Sequence, residues 1–230
     1  MLVVDKPAGL IVFPEGEALK NGEKTLIDYL LEQKPELKNV GEAPRYGIAH
    51  RLDKDTSGVL LVAKSSEALI FLQKQFINRG VEKKYICLVE GTIKEDKGEI
   101  KTLLARSPRD PRKQKVYFEN DPPASGIPKS AREAITEYKV IEDFEKYTLL
   151  EVKIETGRRH QIRCIFSYLQ HPVAGDKLYG FRNSKKPAGL KRQFLHAQKI
   201  KIQLPSGETK EFLSELPEEL NNVLKKLKKE

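Results

Sequence analysis

The stretch His50-Arg51-Leu52-Asp53-Lys54-Asp55-Thr56-Ser57-Gly58 gathers reactive and turn-forming side chains directly ahead of the apolar run Val59-Leu60-Leu61-Val62-Ala63. That run is too short for an ordinary helix and rich in branched residues, which predicts a buried strand with a polar turn at its mouth. A carboxylate placed there beside Arg51 can stay ionised in a cleft, because the cation opposes the cost of desolvation. Such an acid can attack an electrophilic carbon or assist a departing group. The competing reading is a solvated surface turn, in which an exposed Arg–Asp pair contributes little.

Other chemistries find less support. Asp53 and Asp55 form an acidic pair, but His50, His160, His171 and His196 lack the close spacing of a zinc site. The expectation is therefore no metal and no metal-dependent nuclease, with His50 and His196 as hydrogen-bonded structural residues. Cys87 and Cys164 cannot make a disulfide framework; buried thiols in a reducing cytoplasm are expected. No apolar run reaches membrane-spanning length, and the opening Met1-Leu2-Val3-Val4-Asp5-Lys6-Pro7 does not read as a secretion signal. A formal net charge of +9 favours a polyanionic partner, although a soluble basic protein would also carry it.

The elements that must position these residues are legible in outline. Leu2-Val3-Val4 reads as a strand, and Asp5 to Val12 as a turn returning to a second strand. Thr25-Leu26-Ile27-Asp28 opens a capped helix that Pro35 ends. Ser65-Ser66-Glu67 opens another, with Leu69, Leu72 and Phe76 on its apolar face and Gly80 as its stop. Strands are predicted at Lys83–Gly91, Ala134–Val140 and Thr148–Glu155, and a helix from His160 to Leu169 that buries Ile162, Ile165, Phe166 and Leu169. Arg159 and Arg163, four apart, are assigned to another face of that helix near its positive end, where a cation makes sense only with an anionic partner. Residues 105–133 read as a loop-rich insertion with a basic first half, either a flap whose clustered Lys and Arg neutralise phosphates or a solvated loop. A terminal hairpin built on Ile200, Ile202 and Leu204 precedes an amphipathic helix at about 218–230.

The central stretch, His-Arg-Leu-Asp-x-x-Thr-Ser-Gly followed by an apolar strand and Ala-Lys, resembles the central motif of the RluA-type RNA pseudouridine synthases. Three further segments fit. "VVDKPAGLIV" resembles the family's first motif, and Lys83-Lys84-Tyr85 the opening of its second. Thr156 to Arg163 together with His171-Pro172-Val173-Ala174-Gly175-Asp176-Lys177-Leu178-Tyr179-Gly180 resembles its third. Many members carry His where this chain has Ile165, which weakens any assignment of substrate. Members also carry a further strand, and often a small RNA-binding domain, ahead of the first motif; neither is expected here.

The resemblance implies a single α/β (α+β) catalytic domain over residues 1–230, with a mixed, mainly antiparallel central sheet and flanking helices. It implies isomerisation of uridine to pseudouridine in structured RNA, without cofactor, metal or external donor, by a monomer in the cytoplasm. Asp53 is then the catalytic residue, Arg163 pairs with it, and Tyr85 stacks on or orients the uracil. Attack on the sugar, addition to the base and removal of a sugar proton all stay open as the role of the acid. Arg51 helps hold the flipped nucleotide, whose extrusion costs a few kcal/mol. Lys6, Thr56, Arg159, His160 and Gln161 complete the RNA-binding set. Large-subunit ribosomal RNA is the first expectation for substrate and tRNA the second. A non-catalytic RNA-binding or ribosome-assembly protein on the same scaffold is the rival reading.

Overall fold

The six residues Ser57–Val62 form strand β2, and every one of them is buried, so both faces of this strand must be covered. In the computed structural model, which describes residues 1–15, 22–120 and 126–229, the chain divides into two compact units. The first comprises Met1–Lys83 and Ala197–Glu215, the second Lys84–His196 and Leu216–Glu230.

In the first unit β1 (Leu2–Lys6) pairs antiparallel with β2, Leu2 opposite Val62 and Lys6 opposite Gly58. The strand order continues from β2 to β8 (Leu195–Gln203), which pairs antiparallel with β9 (Thr209–Leu213). One face of β2 presents Val59 and Leu61, and with Ala63 just beyond the strand they pack with Leu69 and Leu72 of α2 (Ser66–Ile77) and with Ile200 and Ile202 of β8. Leu30 and Leu31 of α1 (Leu26–Gln33) close the same core. Both helices start where their capping residues place them. The Asp28 carboxylate accepts from the Thr25 N–H (2.8 Å) and hydroxyl (2.6 Å), and the Ser65 hydroxyl accepts from the Ala68 N–H (3.2 Å).

The second unit is built on the order β3-β7-β6-β4-β5: β3 (Val81–Glu90), β7 (Tyr147–Ile154), β6 (Arg132–Asp143), β4 (Lys97–Arg106) and β5 (Gln114–Tyr117). Each of these neighbours is antiparallel. Ile86 and Leu88 of β3 pack with Leu220, Val223 and Leu227 of α4 (Glu218–Leu227). Leu104, Val116 and Ala134 pack with Cys164 and Ile165 of α3 (Gln161–Tyr168). The expected α/β class with mainly antiparallel pairing is observed.

Four local expectations need correction, the simplest being Leu169, expected buried but exposed at the C-cap of α3. Among the described residues no strand forms at Leu10–Val12: the carbonyls of Ile11 and Val12 accept the N–H groups of Leu26 and Ile27 at the start of α1 (2.8 and 3.0 Å), so helix capping takes the place of a sheet partner. The insertion at 105–133 is not all loop, because β4 and β5 form a hairpin inside it, with Arg106 opposite Gln114 and Leu103 opposite Tyr117; residues 121–125 of that stretch lie outside the described residues. Arg159 does not share a helix face with Arg163. The helix begins only at Gln161, and His160 sits in the left-handed region (φ 54°), which turns the chain between them.

Candidate active site

In the first unit Asp53 is half-buried on a turn fixed from both sides. Behind it, the Thr56 N–H donates to the Asp53 carbonyl (3.1 Å), and Thr56 itself is buried. The carbonyl of Lys54, the next residue, accepts from the Gly9 N–H (2.9 Å) and from the ammonium of Lys6 (3.0 Å). Lys6 is wholly buried at the end of β1. Its ammonium also donates to the carbonyls of Pro7 and Leu10, both at 2.8 Å. Three carbonyl oxygens match the three donors of an ammonium, and that is how an ionised lysine can be kept inside. Ahead of Asp53, Leu52 is buried, and the His50 Nε2 accepts the Leu61 N–H (2.9 Å) while its ring stacks on Phe76 at 4.5 Å. Burial, with the nearby Lys83 adding to it, pushes the His50 pKa down to about 3, so the ring is a neutral acceptor, a structural residue.

Gly58, two residues past Thr56, could be nothing else. Its φ is +124°, and a Cβ there would stand 2.2 Å from the carbonyl oxygen of Ala197. The close approach of β8 to the start of β2 thus depends on the glycine of the motif.

Arg51 is the other cation of this turn. Its guanidinium forms a forked pair with the Glu15 carboxylate and lies over the Phe13 ring at 5.1 Å, with Arg45 over the same ring at 4.8 Å. A buried phenylalanine flanked by two guanidiniums holds both cations by cation–π attraction.

The second unit carries Tyr85, Arg159, His160, Gln161 and Arg163. Tyr85 is 9% exposed, opposite Val152 of β7, on the face of β3 away from Ile86 and Leu88. Arg159 is exposed in the turn before α3. Gln161 is spent internally: its amide NH2 donates to the Ile135 carbonyl (3.0 Å) and Thr136 hydroxyl (2.9 Å), and its Oε1 accepts from the Thr156 hydroxyl (2.8 Å) and Arg158 N–H (3.0 Å). All four hydrogen-bonding positions of the amide are used, so Gln161 ties the turn to β6 and sets where the helix begins.

Arg163, one turn into α3, is buried and makes a two-pronged ion pair with Asp176: Nε to Oδ2 at 2.6 Å and Nη2 to Oδ1 at 3.0 Å. Asp176 Oδ1 also accepts the N–H groups of Leu178 (2.8 Å) and Tyr179 (3.0 Å). A buried ion pair offsets its desolvation better when backbone donors take up further lone pairs of the carboxylate, as these two N–H groups do. The Tyr179 ring lies 5.3 Å beneath the Arg163 guanidinium. The carboxylate and the ring together therefore hold the guanidinium in a fixed plane.

Sequence reasoning missed Asp176 as the partner of Arg163, though it sits inside the Gly-Asp-Lys-Leu-Tyr-Gly segment. A buried carboxylate thirteen residues downstream of an arginine has no local signature. It missed the cage around Lys6 for the same reason. Both cysteines are buried, and burial pushes the Cys164 thiol up to about 12 and that of Cys87 higher still, so neither serves as a nucleophile near neutral pH. Among the described residues, the side chains close enough to share a metal ion are Glu99, Glu137 and Glu155, none of them a histidine or part of the Asp53 turn. Glu99 and Glu137 are paired instead with Lys101 and Lys153 at 2.8 Å.

Comparison with known proteins gives a consistent result. The chain is 44% identical over 190 residues to an uncharacterized RNA pseudouridine synthase of Aquifex aeolicus, covering 82% of this chain and 56% of that one. It is 36% identical over 242 residues to the ribosomal large subunit pseudouridine synthase D of Xanthomonas campestris, covering 100% of this chain and 67% of the relative. The chain thus spans between about half and two thirds of these relatives' length. Among solved structures, human RNA pseudouridylate synthase domain containing 1 superposes with a TM-score of 0.72 at 26% identity, over 94% of this chain and 80% of that one. The family model described as RNA pseudouridylate synthase matches residues 1–168, which include the Asp53 turn, Tyr85 and Arg163. The chain belongs to the RNA pseudouridylate synthase family.

Proposed function

We propose that this protein isomerises uridine to pseudouridine in structured RNA, with Asp53 as the catalytic residue. The observation that carries the reading is the Asp53 turn, a half-buried aspartate whose flanking backbone is held by the Lys6 cage and by the Thr56 and His50 hydrogen bonds, inside the stretch that the family match covers. Fixing the backbone on either side of an acid removes the orientational freedom it would otherwise lose in the transition state. The reaction needs no oxidant or donor. The bond from N1 of uracil to C1′ of the ribose breaks, a bond from C5 to C1′ forms, C5 loses its proton and N1 gains one. Asp53 acts beside C1′, and we assign Tyr85 to orienting the uracil and Arg163 to supporting the same reaction.

The net charge of +9 supports an RNA partner through phosphate neutralisation. Among the described residues no helix is long and apolar enough to cross a membrane, and we place the enzyme in the cytoplasm, acting as a monomer without metal or cofactor. Several relatives bear the name ribosomal large subunit pseudouridine synthase D, which favours large-subunit ribosomal RNA over tRNA as substrate. Pseudouridine mapping across ribosomal and transfer RNA, from cells with and without the gene, tests the choice. Loss of a large-subunit site is expected; loss confined to tRNA, or no lost site, overturns the assignment.

A further inference from the structure

The hairpin β4–β5 carries Arg106, Arg109, Arg112, Lys113 and Lys115 within ten residues, and all but Lys113 are exposed. Its tip is preshaped: the Ser107 N–H donates to the Lys113 carbonyl (2.9 Å), and Asp110 accepts from both the backbone and the guanidinium of Arg112. At its foot, the Gln114 N–H donates to the Tyr179 hydroxyl (2.6 Å), and the Gln114 carbonyl accepts from the Cys164 thiol (3.2 Å). The same Tyr179 hydroxyl meets His160 Nδ1 at 3.0 Å. Its ring lies 5.3 Å from the Arg163 guanidinium and 5.8 Å from the Lys113 ammonium, and its N–H holds Asp176. One tyrosine therefore joins the basic hairpin to the Arg163–Asp176 pair.

We propose that Tyr179 is a positioning residue that docks the basic β4–β5 hairpin beside Arg163, so that the hairpin grips the phosphates of the RNA whose uridine is modified. The proposal rests on RNA being the substrate. Hydroxyl and ring have separable tasks. The hydroxyl fixes the hairpin through Gln114 and sets His160. The ring supports the guanidinium by cation–π attraction. A substitution that deletes only the hydroxyl frees the hairpin while leaving Arg163 supported.

The test compares Tyr179→Phe with the unaltered protein, measuring both binding of an unmodified large-subunit ribosomal RNA transcript across a salt series and pseudouridine formation. The loss of one anchoring hydrogen bond predicts an affinity and KM weakened roughly five- to tenfold with kcat retained. The slope of log affinity against log salt should flatten by about one to two, the phosphate contacts the hairpin no longer makes. Tyr179→Leu, which removes the ring as well, should lower kcat too. Gln114→Pro, which deletes the donor, should reproduce the binding defect of Tyr179→Phe, and a melting curve for each variant shows whether the chain is folded. Unchanged affinity and salt slope in folded Tyr179→Phe would overturn the proposal, as would a loss of kcat at unchanged affinity. The unaltered protein making no pseudouridine would sink the functional reading, while the binding comparison would still decide the role of Tyr179.

Discussion

Replacing Lys6 by Met removes the charge from the cage behind Asp53 while keeping most of the side-chain volume. In the folded protein the ammonium is wholly buried and donates to the carbonyls of Pro7, Leu10 and Lys54. The Lys54 carbonyl keeps a partner in the variant, the Gly9 N–H at 2.9 Å. Those of Pro7 and Leu10 lose a buried donor, at about 1–3 kcal/mol each. Relief of the buried ammonium's own desolvation offsets part of this, and we expect a net loss of about 3 kcal/mol. For a chain of this size that corresponds to a Tm lowered by about 6–12 °C. Because the cage holds the Lys54 carbonyl, activity should fall more than folding does, with kcat reduced at temperatures where the variant is still fully native. Calorimetry paired with a single-turnover assay at 25 °C reads both quantities. A Lys6→Met protein melting within about 2 °C of the parent, with kcat unchanged, would show that the Asp53 turn does not depend on this lysine.

Three further outcomes follow from the same geometry. His50 is neutral in the folded protein, with its pKa down at about 3 against an unfolded 6.5, so the unfolded chain takes up a proton first and stability falls as pH drops through that window. Between pH 7 and pH 5 this one group should cost about 2 kcal/mol in urea denaturation, and His50→Gln should lose that part of the pH dependence; an identical slope in the variant would refute it. Asp176→Asn leaves the Arg163 guanidinium buried without its counter-charge and should destabilise by about 3–5 kcal/mol, read from thermal melting, whereas a near-neutral effect would mean that the pair does not hold the cation. Gly58→Ala places a methyl against the Ala197 carbonyl in a backbone conformation alanine avoids, and should melt lower by more than about 5 °C, with a wild-type Tm as the contrary result.

Much of this was legible in the sequence because the signals are local. The run after Gly58 has no polar residue and became the fully buried β2. Thr25 with Asp28, and Ser65 ahead of Glu67, marked helix starts that the capping bonds confirm. What escaped depends on contacts between distant segments. Strand β5 is four residues long and flanked by Pro, Arg and Asp, so its identity comes from pairing with β4 rather than from its own composition. Ile11 and Val12 carry a strand pattern, but their carbonyls are drawn off by the first turn of α1. Lysine normally reads as surface, and only the carbonyl cage makes Lys6 an interior residue. Arg163 was singled out by its motif, while the carboxylate that orients it was visible only after folding. Gln161, expected at the RNA, turned out to use its whole amide in fastening the turn.

In the proposed reaction the carboxylate of Asp53 carries out the isomerisation. The direct measurement follows release of tritium from RNA labelled at C5 of uracil, since that hydrogen leaves only when C5 takes over the bond to the ribose. With the unaltered protein, release should proceed to a stoichiometric end point. With Asp53→Asn, which preserves the shape of the side chain and removes its charge, release should be undetectable while RNA binding stays within about threefold of the parent. Tritium release by Asp53→Asn at a rate comparable to the parent would contradict the account.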